Sequence, residues 1–115
     1  IYGKKGEPLS LFYISDLIRG MMKFMESSEV GPINLASEWK VKMEEVAKKI
    51  IEITGSTSKI VYQEKPSHFD VQPLADISLA KEKLGWFPII LMDEGLKKTV
   101  DYLSAQQGIR EVPLV

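Results

Sequence analysis

At 115 residues, 44% of them apolar and 27% charged, the chain is long enough for one small domain or a piece of one. A net charge of −1 speaks against a nucleic-acid partner, which would call for a basic face. With no cysteine, disulfides and thiolate metal sites are excluded, which fits a cytoplasmic or otherwise reducing compartment without requiring one. No apolar run approaches the roughly 20 residues of a membrane span, and no signal-peptide pattern opens the chain. It begins at Ile1 in an apolar-aromatic segment, which reads as a cut end.

In chain order, Ile1-Tyr2-Gly3 reads as the end of a strand and Lys4-Lys5-Gly6-Glu7-Pro8 as the turn after it. Ser10-Leu11-Phe12-Tyr13-Ile14 is expected to be a second short strand. Ser15-Asp16 then starts a helix with one apolar stripe (Leu17, Ile18, Met21, Met22, Met25) and Arg19, Lys23 and Glu26 opposite. The methionines are core or interface filler rather than a cofactor box. Gly31-Pro32 leads into Ile33-Asn34-Leu35-Ala36, an expected third strand, and a loop with Trp39 follows. The next helix points Met43, Val46, Ala47, Ile50 and Ile51 inward and ends at Gly55. Its acidic residues, Glu44 and Glu45, precede Lys48 and Lys49 as the helix dipole favours.

Lys59-Ile60-Val61-Tyr62-Gln63-Glu64 has the β-branched and aromatic content of a strand, and residues 65–75 read as a long loop. From Asp76 to Pro88 the chain carries its most organised stretch. Ile77, Ala80 and Leu84 share one helical face, Asp76 stands as N-cap, Gly85 ends the helix, and Pro88 stops it from resuming. Trp86 must then enter the neighbouring layer. Ile89 to Leu91 is a brief extended piece, Asp93 caps a last helix with Leu96, Val100 and Leu103 inward, and residues 106–115 are a tail.

The stretch from Asp76 to Pro88 resembles the C-terminal signature of extended short-chain dehydrogenases/reductases, the NAD-dependent epimerase/dehydratase family acting on sugar nucleotides. Ile1-Tyr2-Gly3, Tyr13-Ile14-Ser15-Asp16-Leu17, Gly31-Pro32-Ile33-Asn34-Leu35 and Glu94-Gly95-Leu96 occur in that family's order and spacing. Together they are most similar to the UDP-glucuronate decarboxylase (UDP-xylose synthase) branch. The resemblance covers Ile1 to about Leu103. It implies an α/β fold: the C-terminal substrate-binding lobe of an extended Rossmann-type enzyme, with short strands, about four helices and the Rossmann core missing. Residues 1–105 form the lobe in this reading. It also implies a missing N-terminal Rossmann portion as partner, NAD as cofactor of the full-length enzyme, and a homo-oligomer as one way to cover exposed apolar surface.

Set against that family, the chain lacks the chemical machinery. The cofactor fingerprint, Gly-x-x-Gly-x-x-Gly between a strand and a helix, presents backbone N–H groups to a pyrophosphate. Gly3-Lys4-Lys5-Gly6 has neither the third glycine nor the helix. The family's catalytic Tyr-x-x-x-Lys has no counterpart either, since Gly6, Leu17, Pro66 and Gln106 stand four residues after the four tyrosines. No catalytic, cofactor-binding or metal-ligating residue is expected here. Two arginines that typically hold the nucleotide-sugar diphosphate are replaced by Leu9 and Pro73. Losing two charge-assisted bonds costs roughly 3–6 kcal/mol, about two to four decades in affinity, which argues against tight UDP-sugar binding in the family's pose.

The candidate substrate-binding residues are then Tyr2 and Asp76. Tyr2 can stack on a uracil or simply be half-buried. Asp76 can bond a ribose, although its capping role already accounts for it. His68 has no partner in view, Lys4-Lys5 reads as a solvated turn, and Arg19 falls on a polar helix face. The competing reading is a non-catalytic interaction or oligomerisation module derived from the same fold.

Overall fold

The computed structural model describes residues 1–69 and 73–111. Its elements run β1 (Pro8–Ser10), α1 (Ile14–Glu26), β2 (Lys40–Lys42), α2 (Met43–Thr54), α3 (Ser78–Leu84) and α4 (Met92–Glu111). β1 and β2 pair antiparallel, with Leu9 opposite Val41. A separate parallel bridge joins Tyr2 to Gln63. Helix α1 packs on α3, and α2 on α4.

The strands differ from expectation for one reason: a strand needs a ladder partner. The expected strand at residues 10–14 sits instead at Pro8–Ser10, where Lys40–Lys42 lies alongside. That second strand falls in what the sequence suggests is a loop. Residues 59–64 contribute only the Gln63 bridge, and residues 33–36 run without a ladder partner among the described residues. Helix α4 continues through residue 106 to Glu111, beyond the end of its apolar periodicity. Residues 70–72 of the expected loop and 112–115 of the expected tail lie outside the described residues.

The buried core is small and centres on the Trp86 corner: Ile77, Ala80, Leu84 and Trp86, with Phe12, Phe24, Ile33, Leu35 and Ala36 packed against it. Gly85 takes the left-handed conformation (φ 57°) that ends α3. The Trp86 N–H then donates back to the Ala80 carbonyl at 3.1 Å, which turns the indole inward. Helix α1 reaches this core through Asp16, Gly20 and Phe24, not through its apolar stripe. A Cβ on Gly20 would lie 2.9 Å from Leu35 Cδ1 and 3.0 Å from Trp86 Nε1, so only glycine admits this approach.

The stripe itself faces outward. Of its residues Ile18, Met21, Met22 and Met25 are exposed, Met25 at 79%, and Leu17 is half-buried; Ile14, expected in a strand, opens α1 and is exposed beside them. In α2, Val46 alone is buried, and Met43 and Ile50 are exposed. The radius of gyration is 17.4 Å, where a compact domain of this length has about 13 Å. These helices therefore carry more apolar surface than the described chain covers.

Candidate functional site

Tyr2 is held by the main chain before its side chain does anything. The Gly3 N–H donates to the Gln63 carbonyl at 2.9 Å, and the Gln63 N–H to the Ile1 carbonyl at 2.8 Å. Gly3 adopts φ 109°, and a Cβ there would meet Lys65 Cε at 2.6 Å. The turn after Tyr2 is thereby pressed against the segment that carries Lys65 and, four residues on, Phe69. The Phe69 N–H closes its own turn on the Pro66 carbonyl at 2.9 Å. The Tyr2 and Phe69 rings then meet with centroids 5.7 Å apart at 40°.

These two rings line a cavity of about 260 Å³, with Leu9, Met43 and Tyr62 among its other walls. Leu9 thus lines the same space as Tyr2. Both carboxylates at the cavity are paired. Glu7 pairs with Lys65. Glu44 pairs with Lys48 at 2.9 Å and accepts from the Tyr62 hydroxyl at 2.9 Å. The Lys65 bond, with a backbone N–H from Lys4, holds the Glu7 carboxyl below the usual carboxylate range. The Lys48 and Tyr62 bonds do the same for Glu44.

Asp76 lies elsewhere. Its Oδ1 accepts the Ser78 N–H at 2.8 Å and also the Ser78 hydroxyl. The N-cap of α3 is nevertheless Ile77, which makes no side-chain cap bond, so Asp76 stands one residue ahead of its expected place. The Ser78 hydroxyl and N–H lower the Asp76 pKa. Asn34 Nδ2 donates to the Asp76 carbonyl at 3.2 Å. Asp76 does not line the Tyr2 cavity, so the two candidate residues are not brought together there. Pro73 is exposed, and His68 is exposed beside Phe69, ring centroids 5.8 Å apart.

Arg19 is not on a free polar face. Its guanidinium donates to Asp16 Oδ1 and to the Phe87 carbonyl, and it lies 5.9 Å from the Trp86 ring centroid. It is tied into the Trp86 corner and cannot stand in for a phosphate-binding arginine. Nor does Asp93 cap α4: it sits in the first turn and pairs with Lys49 at 3.1 Å. The Gly3-Lys4-Lys5-Gly6 turn leads into β1, whereas in a Gly-x-x-Gly-x-x-Gly fingerprint the glycine turn leads into a helix.

The contribution of Phe69 was not readable beforehand. It sits in a segment without periodicity, and only the fold brings it to Tyr2. Among the described residues no helix is long and apolar enough to cross a membrane.

Comparisons with known proteins bear on this arrangement. No family profile matches the chain. UDP-glucuronic acid decarboxylase 1 of Danio rerio is 31% identical over 106 residues, which is 92% of this chain and 25% of that protein. UDP-glucose 4-epimerase of Thermotoga maritima, solved with UDP-glucose, superposes with a TM-score of 0.83 at 29% identity, covering 93% of this chain and 35% of that one. UDP-glucuronic acid 4-epimerase of Bacillus cereus, solved in complex with NAD, gives a TM-score of 0.76 at 25% identity over 92% of this chain and 34% of that one. The chain thus spans about a quarter of the length of the curated relatives it matches. Sequence and fold together make it a C-terminal portion of the extended short-chain dehydrogenase/reductase kind, within the NAD-dependent epimerase/dehydratase family and similar to UDP-glucuronate decarboxylases.

Proposed function

We propose that this chain is the substrate-binding lobe of a UDP-glucuronate decarboxylase-like protein, not catalytic by itself, which acts by docking on a nucleotide-binding portion. The observation that carries the reading is the outward apolar stripe of α1, Ile14 to Met25, beside the unladdered residues 33–36. A bare stripe and an open backbone edge together are the counterpart of a missing sheet layer. NAD would be held by that other portion, because the glycine turn here leads into β1 and not into a helix.

In this reading Tyr2 presents its ring to the base of a nucleotide sugar. Asp76, whose Oδ1 is committed to Ser78, retains Oδ2 for a ribose hydroxyl. Incubation of the chain alone with NAD and UDP-glucuronate should release no carbon dioxide, and turnover above background would refute the proposal. Adding the nucleotide-binding portion of a relative should give a one-to-one complex in sedimentation.

A second reading is favoured by Leu9 and Pro73 together with the commitment of Arg19 to Phe87. It is a non-catalytic module that covers the α1 stripe by self-association. Concentration-dependent dimerisation that Met25→Lys abolishes would support it, and a monomer at all concentrations would remove it.

A further inference from the structure

Three of the chain's five methionines, Met21, Met22 and Met25, stand together on α1. At about 3.6 residues per turn they occupy an arc of roughly 100°. They are 51%, 54% and 79% exposed, whereas Met43 is 42% exposed and Met92 is partly buried. In a chain without cysteine, the α1 thioethers are therefore its most accessible sulfur. The core is built differently: neither the Trp86 cluster nor any side chain packed on it is a methionine. Met21 and Met25 instead wall a surface groove of about 290 Å³ with Phe24, Pro32, Ile33 and Leu84. That groove joins the α1 stripe to residues 33–36, the two features assigned to docking.

We propose that α1 is an oxidation-sensitive docking surface: sulfoxides at Met21, Met22 and Met25 prevent docking while the fold stays intact. The inference rests on docking through α1 and adds its regulation. The oxidant is a hydroperoxide, hydrogen peroxide in the simplest case. A thioether lone pair attacks one peroxide oxygen, the O–O bond breaks, and the proton on the attacked oxygen leaves with the departing hydroxide as water. The sulfur gives up two electrons and the peroxide gains them. A sulfoxide reductase returns the thioether and water, using a dithiol that becomes a disulfide. The effect falls on docking alone for a physical reason. In the free chain each new oxygen is solvated, because its sulfur stands at the surface. In an apolar interface the same oxygen is a buried acceptor without a donor, which is costly. Ile14 and Ile18, at the other end of the stripe, supply apolar area without this sensitivity.

The test treats the 115-residue chain with hydrogen peroxide until peptide mass spectrometry places a sulfoxide at each of Met21, Met22 and Met25. Calorimetry then measures docking on the nucleotide-binding portion of a relative. The oxidised chain should dock at least about tenfold more weakly than the untreated one, and methionine sulfoxide reductase should restore the affinity. Its urea midpoint, followed by far-ultraviolet circular dichroism, should equal that of the untreated chain. A variant with Met21→Leu, Met22→Leu and Met25→Leu keeps the stripe apolar at nearly the same volume. It should dock like the parent and keep docking after peroxide. Undiminished docking of the oxidised parent would overturn the inference while leaving the lobe reading intact. So would an equal loss in the leucine variant, or an oxidised parent with a lowered urea midpoint. An untreated chain that does not dock at all would remove the lobe reading, and this inference with it.

Discussion

The indole Nε1–H of Trp86 donates to the backbone carbonyl of Asp16 at 2.9 Å, across 70 positions of chain. The same aspartate uses its side chain in the other direction: Oδ2 accepts the N–H groups of Ile89 (3.1 Å) and Ile90 (2.9 Å), and Oδ1 pairs with Arg19 at 3.2 Å. One residue at the start of α1 thus fixes the exit path of the chain after α3. Asp16 is 1% exposed, so nothing but these partners solvates it.

Removing that carboxylate should be costly. Asp16→Ala leaves two N–H groups and a guanidinium without their acceptor, and a destabilisation of about 3 kcal/mol is expected from unsatisfied donors of this kind. Urea unfolding followed by Trp86 fluorescence measures it. A midpoint unchanged from the parent would show that the segment after α3 is held by packing alone.

Acid should act through the same group. Burial pushes the Asp16 carboxyl up, but the Ile90 and Ile89 N–H groups and Arg19 outweigh it, and the net shift is downward from 3.8. A lowered folded pKa means that the unfolded chain binds the proton more readily. The stabilisation is therefore complete above the ordinary aspartate range and lost as pH falls through the folded value. Between pH 5 and 3, as round figures spanning the usual aspartate pKa of about 3.9, the parent should lose more stability than Asp16→Asn, which has no proton to gain. Equal losses in the two proteins would assign the acid sensitivity to other carboxyls.

Gly20 tests the close approach of α1. Gly20→Ala sets a methyl 3.0 Å from Trp86 Nε1, and while Leu35 can turn aside, the indole is held on both sides. Overpacking of this sort costs about 1–3 kcal/mol, against the gain in helix propensity expected at an exposed glycine. Near-ultraviolet circular dichroism should report a loosened tryptophan, and a stabilised protein with an unchanged spectrum would contradict the packing described.

The exposed stripe should separate stability from association. Met25→Lys alters a side chain that is 79% exposed, so stability should move by no more than about 0.5 kcal/mol. Binding to a nucleotide-binding portion should fall at least about tenfold, because a charge would enter an apolar interface. Calorimetry on the pair measures the second effect, and undiminished binding would show that docking does not use α1.

Leu9→Arg would place a guanidinium on the lining of the Tyr2 cavity. One charge-assisted bond is worth about 1.5–3 kcal/mol, so UDP should gain roughly ten- to a hundredfold in affinity over the parent, with uridine unaffected. An equal gain for both ligands would mean that the arginine packs on the ring instead.

Much of this was legible in the residues because it depends on local signals. The helices announced themselves by apolar spacing, and Gly85 and Pro88 marked the end of α3, whereas its N-cap is Ile77 and not the expected Asp76. Family kinship also lay in the primary structure, since five short motifs keep their order and spacing whatever the packing. Strand pairing, by contrast, is a relation between distant segments: nothing in residues 40–42 foretells that they meet Pro8–Ser10, or in residues 33–36 that they have no ladder partner among the described residues. Which face of α1 turns inward was decided the same way. Periodicity separates an apolar side from a polar one, but the Trp86 corner drew in Asp16 and Gly20 by hydrogen bonding and close contact, leaving the methionines outside. The meeting of Tyr2 with Phe69 is likewise the work of the tertiary fold, because a crowded Gly3 and a parallel bridge, not any pattern in the loop, bring the two rings together.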